Sequence, residues 1–320
     1  MKKVLKKSII NSEKLTRSYV KGLIRDISMD RGLYIMLLPV ILNFIIFHYI
    51  PMYGLQIAFK KYNLILGTKG SPWVGFQNFQ NFFSSYNFTL VVKNTLIISL
   101  YLIIFGFPLP IIFALLLNEI RGGAFKKVAQ TISYLPHFIS SVIVVGMLIQ
   151  ILSPNGGAIN LFLGWFGKEP IYFLGEPDYF RTIYVLLELW RNTGFGAIIY
   201  IAAITSIDSE IYESATIDGA GRLKKMWYIT IPCLMPTIIT LFILRLGGIL
   251  NVGWQEILLL QNPLNRQVSE VISTFVYKRG LIDADYGYAA AVGMANSVVG
   301  FIFVVGANEL AKRFSETRLF

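Results

Sequence analysis

Long apolar runs, rather than a helical stripe or a strand-like alternation, dominate the chain. Six of them approach the ~20 residues that match the hydrocarbon core of a bilayer. They predict transmembrane helices over 33–59, 95–117, 132–152, 183–204, 234–260 and 288–308. Pro39 and Pro51 interrupt the first run, Pro108 and Pro110 the second, and Gly247-Gly248 the fifth. Such breaks survive in membrane helices where neighbours or a cavity satisfy the freed backbone groups. Between the first two runs, Lys60 to Thr95 carries Gly67, Gly70, Pro72, Gly75 and five Phe. That stretch predicts a structured loop or a short interfacial helix.

Composition agrees with the runs. Of 320 residues, 55% are hydrophobic and 15% charged, where a soluble domain carries about 25% charged. Mean hydropathy is +0.59. The fold class is therefore an all-α polytopic membrane protein with six spans. One cysteine, Cys233, excludes an internal disulfide framework, and two histidines, His48 and His137, leave no zinc cluster.

Net charge is +11, and in a membrane protein its placement matters most. Lys2, Lys3, Lys6, Lys7, Lys14, Arg17, Lys21, Arg25 and Arg31 crowd the N-terminus. The first apolar run is too long, and lacks a small-residue cleavage site, to be a removed leader. The basic segment reads as a cytoplasmic anchor to anionic headgroups. It does not read as a nucleic-acid site, since no stacking aromatics are interleaved with the charges. Residues 1–32 then form a cytoplasmic segment, 33–310 the transmembrane domain and 311–320 a cytoplasmic tail with Lys312, Arg313 and Arg318. Arg121, Lys126, Lys127 and Arg222, Lys224, Lys225 fall on the same inner side. The loop with Lys60, Lys61, Lys69 and Lys93, which holds no acid, runs against the positive-inside trend. The expected location is a bacterial plasma membrane, crossed several times.

Several chemistries are missing. No G-x-x-x-x-G-K-[ST] loop could cradle a phosphate, and there is no H-E-x-x-H, G-x-S-x-G or Rossmann fingerprint. The chain is not read as an enzyme. Few ionisable residues fall inside the spans: Glu188 and Arg191 in the fourth, Arg245 in the fifth.

The loop 207–232 is the most informative segment. It reads as two short helices joined at a glycine turn, with Asp208 and Asp218 each able to cap a helix start. Gly219 and Gly221 allow backbone that a Cβ would block. Ile211, Ala215, Ile217 and Ala220 offer a small apolar knob suited to a groove in a partner. By physics alone, an ordinary amphipathic loop would look the same.

The run Glu213-Ser214-Ala215-x-x-Asp218-Gly219-Ala220, followed by Ile229-Thr230-Ile231-Pro232, resembles the EAA loop of ABC importer permeases. That family's pattern is E-A-A-x-x-D-G-A-x5-F-x-x-I-T-L-P. Ser214, Met226 and Ile231 depart from it conservatively. Leu189-Trp190-x-x-x-Gly194-x-Gly196, Gly247-Gly248-x-x-Asn251-x-Gly253-Trp254, Gln261-Asn262-Pro263 and Tyr286-x-Tyr288 extend the similarity. So do Leu38-Pro39 and His48-x-x-Pro51. Together they are most similar to LplB-type polysaccharide permeases, relatives of the maltose permease. The resemblance implies a type I ABC importer permease fold with both termini cytoplasmic. It also implies a second permease, two cytoplasmic ATPase subunits that bind the ATP and Mg²⁺, an extracellular solute-binding protein and an oligosaccharide substrate, with no cofactor in this chain. In that family the loop, here Glu213, Ser214, Ala215, Asp218, Gly219 and Ala220, docks into the ATPase. An ATP-independent secondary transporter or channel is the alternative.

Position suggests the pathway. Arg191 lies ~15 Å along the fourth span from Arg181, and Arg245 at similar depth in the fifth. Glu188, Arg191, Asn192 and Phe195 share one helical face. Arg245 and Gly248 begin a second face, with Asn251 and Trp254 nearby. In related permeases these two helices line the path, and such side chains suit sugar hydroxyls and ring faces. Alternatively, Glu188 pairs with Arg191 and Arg245 is structural. Two arginines against one carboxylate further predict an anionic cargo.

Overall fold

The computed structural model describes residues 29–120 and 122–314. Most of the basic 1–32 segment, Arg121 and the end of the 311–320 tail lie outside the described residues. Two compact units, Met1–Gln56 and Ile57–Phe320, make up the chain. Among the described residues the structure is helical, with a single isolated bridge, Lys60 to Trp73, in place of any strand.

The first helix, α1 (Arg31–Phe59), widens into a π turn at Ile45–Tyr49 just before Pro51 and ends as a 3₁₀ turn at Tyr53–Phe59. A helical turn at Gly67–Gly70 and α2 (Gln77–Phe83) then give the expected structured loop. Asn78 ties it together, its Nδ2 donating to the carbonyls of Ala58 (2.8 Å) and Lys60 (3.1 Å).

The second span starts earlier than hydropathy predicts. Ser85 caps α3 (Tyr86–Ile104), its Oγ accepting from Phe88 N at 3.2 Å, so the helix begins in polar sequence. After an irregular turn, Pro108 opens α4 (Pro108–Glu119) at a position where its missing N–H costs nothing.

The third span departs most. The continuous helix expected over 132–152 is broken into α5 (Gly123–Phe138) and α6 (Ser141–Ile151), bent by 99°. Ile139 and Ser140 are extended, and Ser140 Oγ caps α6 at Ile143 N. A serine cap flanked by apolar residues leaves no mark in a hydropathy profile.

The short helix α7 (Ala158–Gly164) precedes α8 (Pro177–Thr205), which turns by 70° into α9 (Ser209–Ile217). The next helix, α10 (Arg222–Gly247), starts twelve residues before the expected 234. It ends at the glycine pair, so the stretch 254–260 is not part of that span. After irregular residues 248–253 the chain forms α11 (Trp254–Leu260), α12 (Arg266–Ser269) and α13 (Ile272–Tyr277). The last helix is α14 (Tyr286–Phe314). Among the described residues, four helices are long and apolar enough to cross a membrane, or up to six if each bent pair is one span.

Helix α8 is central. It packs on α4 and α5 and touches α3, α10 and α12. Around it lies the main core, which includes Ile98, Val145, Phe180, Tyr184, Ile257 and Val271. A second cluster with Ala114, Ala197, Tyr200 and Leu234 joins α4, α8 and α10.

Candidate functional site

The segment after α8 is shaped by its caps. Asp208 Oδ1 accepts from Glu210 N at 3.0 Å and starts α9. The end of α9 closes with the two bonds of a Schellman turn. Ala220 N donates to Ala215 O at 2.8 Å and Gly219 N to Thr216 O at 3.0 Å. Gly219 sits at φ +75°, the left-handed region where a side chain is strained. The spacing of Ala215, Gly219 and Ala220 is therefore a helix-stop signal. Asp218 is not a second N-cap: it occupies the C-cap of α9, and Gly221 precedes α10. Nor is the second short helix separate, because it continues into α10. Tyr212 Oη and Thr230 Oγ1, 2.9 Å apart, brace α9 against α10.

What α9 presents is an exposed mixed surface. Glu213, Ser214, Asp218 and Gly219 are exposed, Ala215 and Ala220 half-buried. Ile211 and Leu223 also stand out, and Ile217 is 87% exposed.

The membrane-depth polar residues fall into two groups. A cavity of about 280 Å³ brings together Glu188, Asn192, Thr193 and Tyr200 of α8 and Arg245 of α10, with Phe107 and Leu241 on its apolar walls. Glu188 Oε2 accepts from Asn192 Nδ2 at 2.8 Å, and Asn192 Oδ1 lies 3.0 Å from His137 Nδ1. The His137 ring in turn stacks on Phe195, centroids 3.9 Å apart and nearly parallel.

Arg191 is not in that cavity and does not pair with Glu188. Its ion-pair partner is Glu256, buried in the first turn of α11. Glu256 lies inside the 234–260 run but is absent from the ionisable residues read there, although an acid within such a run is itself a signal. The balance at this depth is two carboxylates for two arginines, not one for two. The electrostatic argument for an anionic cargo loses its premise.

Asn251 and Trp254 are likewise outside the cavity. Asn251 Oδ1 accepts from Asn296 Nδ2 of α14 at 3.0 Å, and Trp254 stacks on Tyr277, centroids 5.0 Å apart. The Gln261-Asn262-Pro263 motif is a loop staple. Asn262 Nδ2 and Asn265 Nδ2 both donate to Leu174 O, at 2.7 and 2.9 Å.

The chain matches a family model described as "Binding-protein-dependent transport system inner membrane component" over residues 106–316. It is 45% identical over 301 residues to the polygalacturonan/rhamnogalacturonan transport system permease protein YteP of Bacillus subtilis (strain 168), covering 94% of each chain. It is 44% identical to Protein LplB of the same organism, covering 91% of this chain and 92% of that one. Among solved structures, a chain of a bacterial alginate ABC transporter in complex with alginate pentasaccharide-bound periplasmic protein superposes with a TM-score of 0.84 at 45% identity. That match covers 92% of this chain and 99% of the other. With the family model matching residues 106–316 and relatives at 44–45% identity along nine-tenths of its length, the chain belongs to the inner membrane components of binding-protein-dependent transport systems, as an ABC transporter permease.

Proposed function

We propose that this chain is the permease subunit of an ATP-driven importer of oligosaccharides or polysaccharide fragments. In this reading it has six spans, with both termini cytoplasmic in a bacterial plasma membrane. It forms half of the pathway beside a second permease. Two ATPase subunits hydrolyse ATP, and an extracellular binding protein delivers the sugar. This chain performs no covalent chemistry.

The observation that carries the reading is α9, an exposed apolar-tipped helix stopped by a Schellman turn and joined end to end with α8. An exposed helix of this kind fits a partner's groove. Residues Glu213, Ser214, Ala215, Asp218, Gly219 and Ala220 are its contact and stop elements. ATPase closure pushes α9, and the continuous α8 carries the push into the membrane.

The cavity residues Glu188, Asn192 and Arg245 supply acceptors and donors for sugar hydroxyls. Outside that cavity, Phe195, stacked on His137, and Trp254, stacked on Tyr277, offer aromatic faces to sugar rings, and Asn251 offers an amide. The relatives named for polygalacturonan and alginate support a polysaccharide-derived cargo.

The test is uptake in membranes carrying the whole complex. Import should stop when ATP is depleted, and an ATPase should co-purify with this chain. Uptake that persists without ATP would make the chain part of a secondary transporter or channel.

A further inference from the structure

Arg191 differs from the other polar side chains of α8 in the destination of its bonds. Nη1 bonds Glu256 Oε1 and the Ser141 hydroxyl (3.0 Å), and Nη2 donates to the Ile139 carbonyl (3.2 Å). Ser141 Oγ also donates to Glu256 at 2.5 Å. Each partner sits at a discontinuity in the chain. Ile139 lies in the 99° break of the third span, Ser141 opens α6, and Glu256 follows the irregular residues after α10. A free carbonyl at a break needs a donor inside a membrane. Arginine's planar fork is the side chain able to serve that carbonyl and a carboxylate together.

A charge pair at this depth is costly to bury, and an apolar pair would pack as well. The knot therefore calls for a role besides packing. Helix α8 runs without interruption from Pro177 to Thr205, and a 70° bend then leads into α9. We propose that Arg191 is a positioning residue for transport. It makes α8, the bend between α5 and α6, and the start of α11 move as one body, so that a displacement entering at α9 reaches α6 and α11. This rests on the coupling role proposed above for α9.

The experiment uses the full complex in proteoliposomes, with labelled oligogalacturonate, oligoalginate and arabino-oligosaccharide as cargoes. ATP-driven uptake by the unmodified complex tests the importer reading; the variants, scored against it, test Arg191. Arg191→Gln and Glu256→Gln should each lower maximal uptake about ten-fold, a usual size for a residue that modulates coupling. KM for the loaded binding protein should not change, ATP consumed per cargo should rise, and the double variant should be no worse than either single one. Arg191→Lys keeps the charge but not the fork, and should recover only part. Ser141→Ala removes no charge and guards against misfolding; it should show the same pattern at about two- to three-fold. A raised KM in Arg191→Gln with normal Glu256→Gln would make Arg191 a cargo contact and overturn the proposal. So would losses that multiply in the double variant, or a Ser141→Ala complex with unchanged uptake and unchanged ATP per cargo.

Discussion

The Tyr184 hydroxyl accepts the Gly253 N–H at 3.1 Å, so a buried tyrosine of α8 holds the residue that starts α11. The glycine is required there by closeness. A Cβ at 253 would stand 2.9 Å from both the Tyr184 oxygen and Glu256 Oε2. Tyr184 is fully buried, and the Glu256 carboxylate is anchored through its other oxygen, Oε1, by Arg191 and Ser141.

Two substitutions probe this contact. Tyr184→Phe leaves the half-buried Gly253 N–H without its acceptor and should destabilise the permease by about 1 kcal/mol. Gly253→Ala overpacks the same point and should cost ~1–3 kcal/mol. Thermal unfolding of the assembled complex in detergent reads both. An unchanged midpoint in Gly253→Ala would show that the α8–α11 contact is loose.

At Gly219 space and strain can be told apart. Nothing among the described residues lies within 4 Å of a Cβ built there, while φ is +75°. Backbone strain alone then orders the variants. Gly219→Asn, whose side chain tolerates the left-handed region, should keep most ATP-coupled uptake. Gly219→Ala should lose some, and the β-branched Gly219→Val the most. Gly219→Trp, which also projects into the space outside the chain, should uncouple ATP hydrolysis from uptake. Normal coupling in Gly219→Trp would remove this turn from the partner interface.

Membrane topology is open to direct labelling. With Cys233 replaced, since it is exposed, single cysteines at 69 and 281 should react with an impermeant reagent applied outside intact cells. One at 224 should not. Position 281 is chosen over its neighbour because Leu281 is exposed while Gly280 is buried against Ala289. Labelling at 224 in sealed cells would invert the proposed orientation. Position 69 is the more telling outer site, because its loop, residues 60–85, carries three lysines and no acid.

The legible parts of this protein were those written in long apolar runs or in tight local spacing. The first and last long apolar helices lie where hydropathy places them, and the glycine turn that ends α9 follows from residues 215–220. What hydropathy could not show is where a helix stops inside an apolar run. Ser140 breaks the third span through one side-chain cap, and the Gly247-Gly248 pair ends α10 so that 254–260 becomes a separate helix. Partners across the fold were equally hidden. Helical spacing placed Glu188 beside Arg191, yet Arg191 turns to Glu256, 65 positions away. No local spacing links the two, since Glu256 stands alone in an apolar stretch beyond the Gly247-Gly248 break.

The last prediction concerns cargo charge. With Arg191 engaged by Glu256, the arginine left facing the cavity is Arg245, which shares it with Glu188 and Asn192. Glu188 already accepts from Asn192, which holds its carboxylate toward α8. A guanidinium can meet a sugar carboxylate through two parallel bonds, so Arg245 is the group able to favour uronate-containing cargo. Arg245→Gln should lower uptake of oligogalacturonate about ten-fold relative to a neutral oligosaccharide of equal length, the loss of one charge-assisted contact. Arg191→Gln should lower both alike, because its effect is on movement and not on recognition. Equal loss of acidic and neutral cargo in Arg245→Gln would assign that arginine to the frame as well. Acid selectivity would then have to come from outside this cavity, from the second permease or from the binding protein.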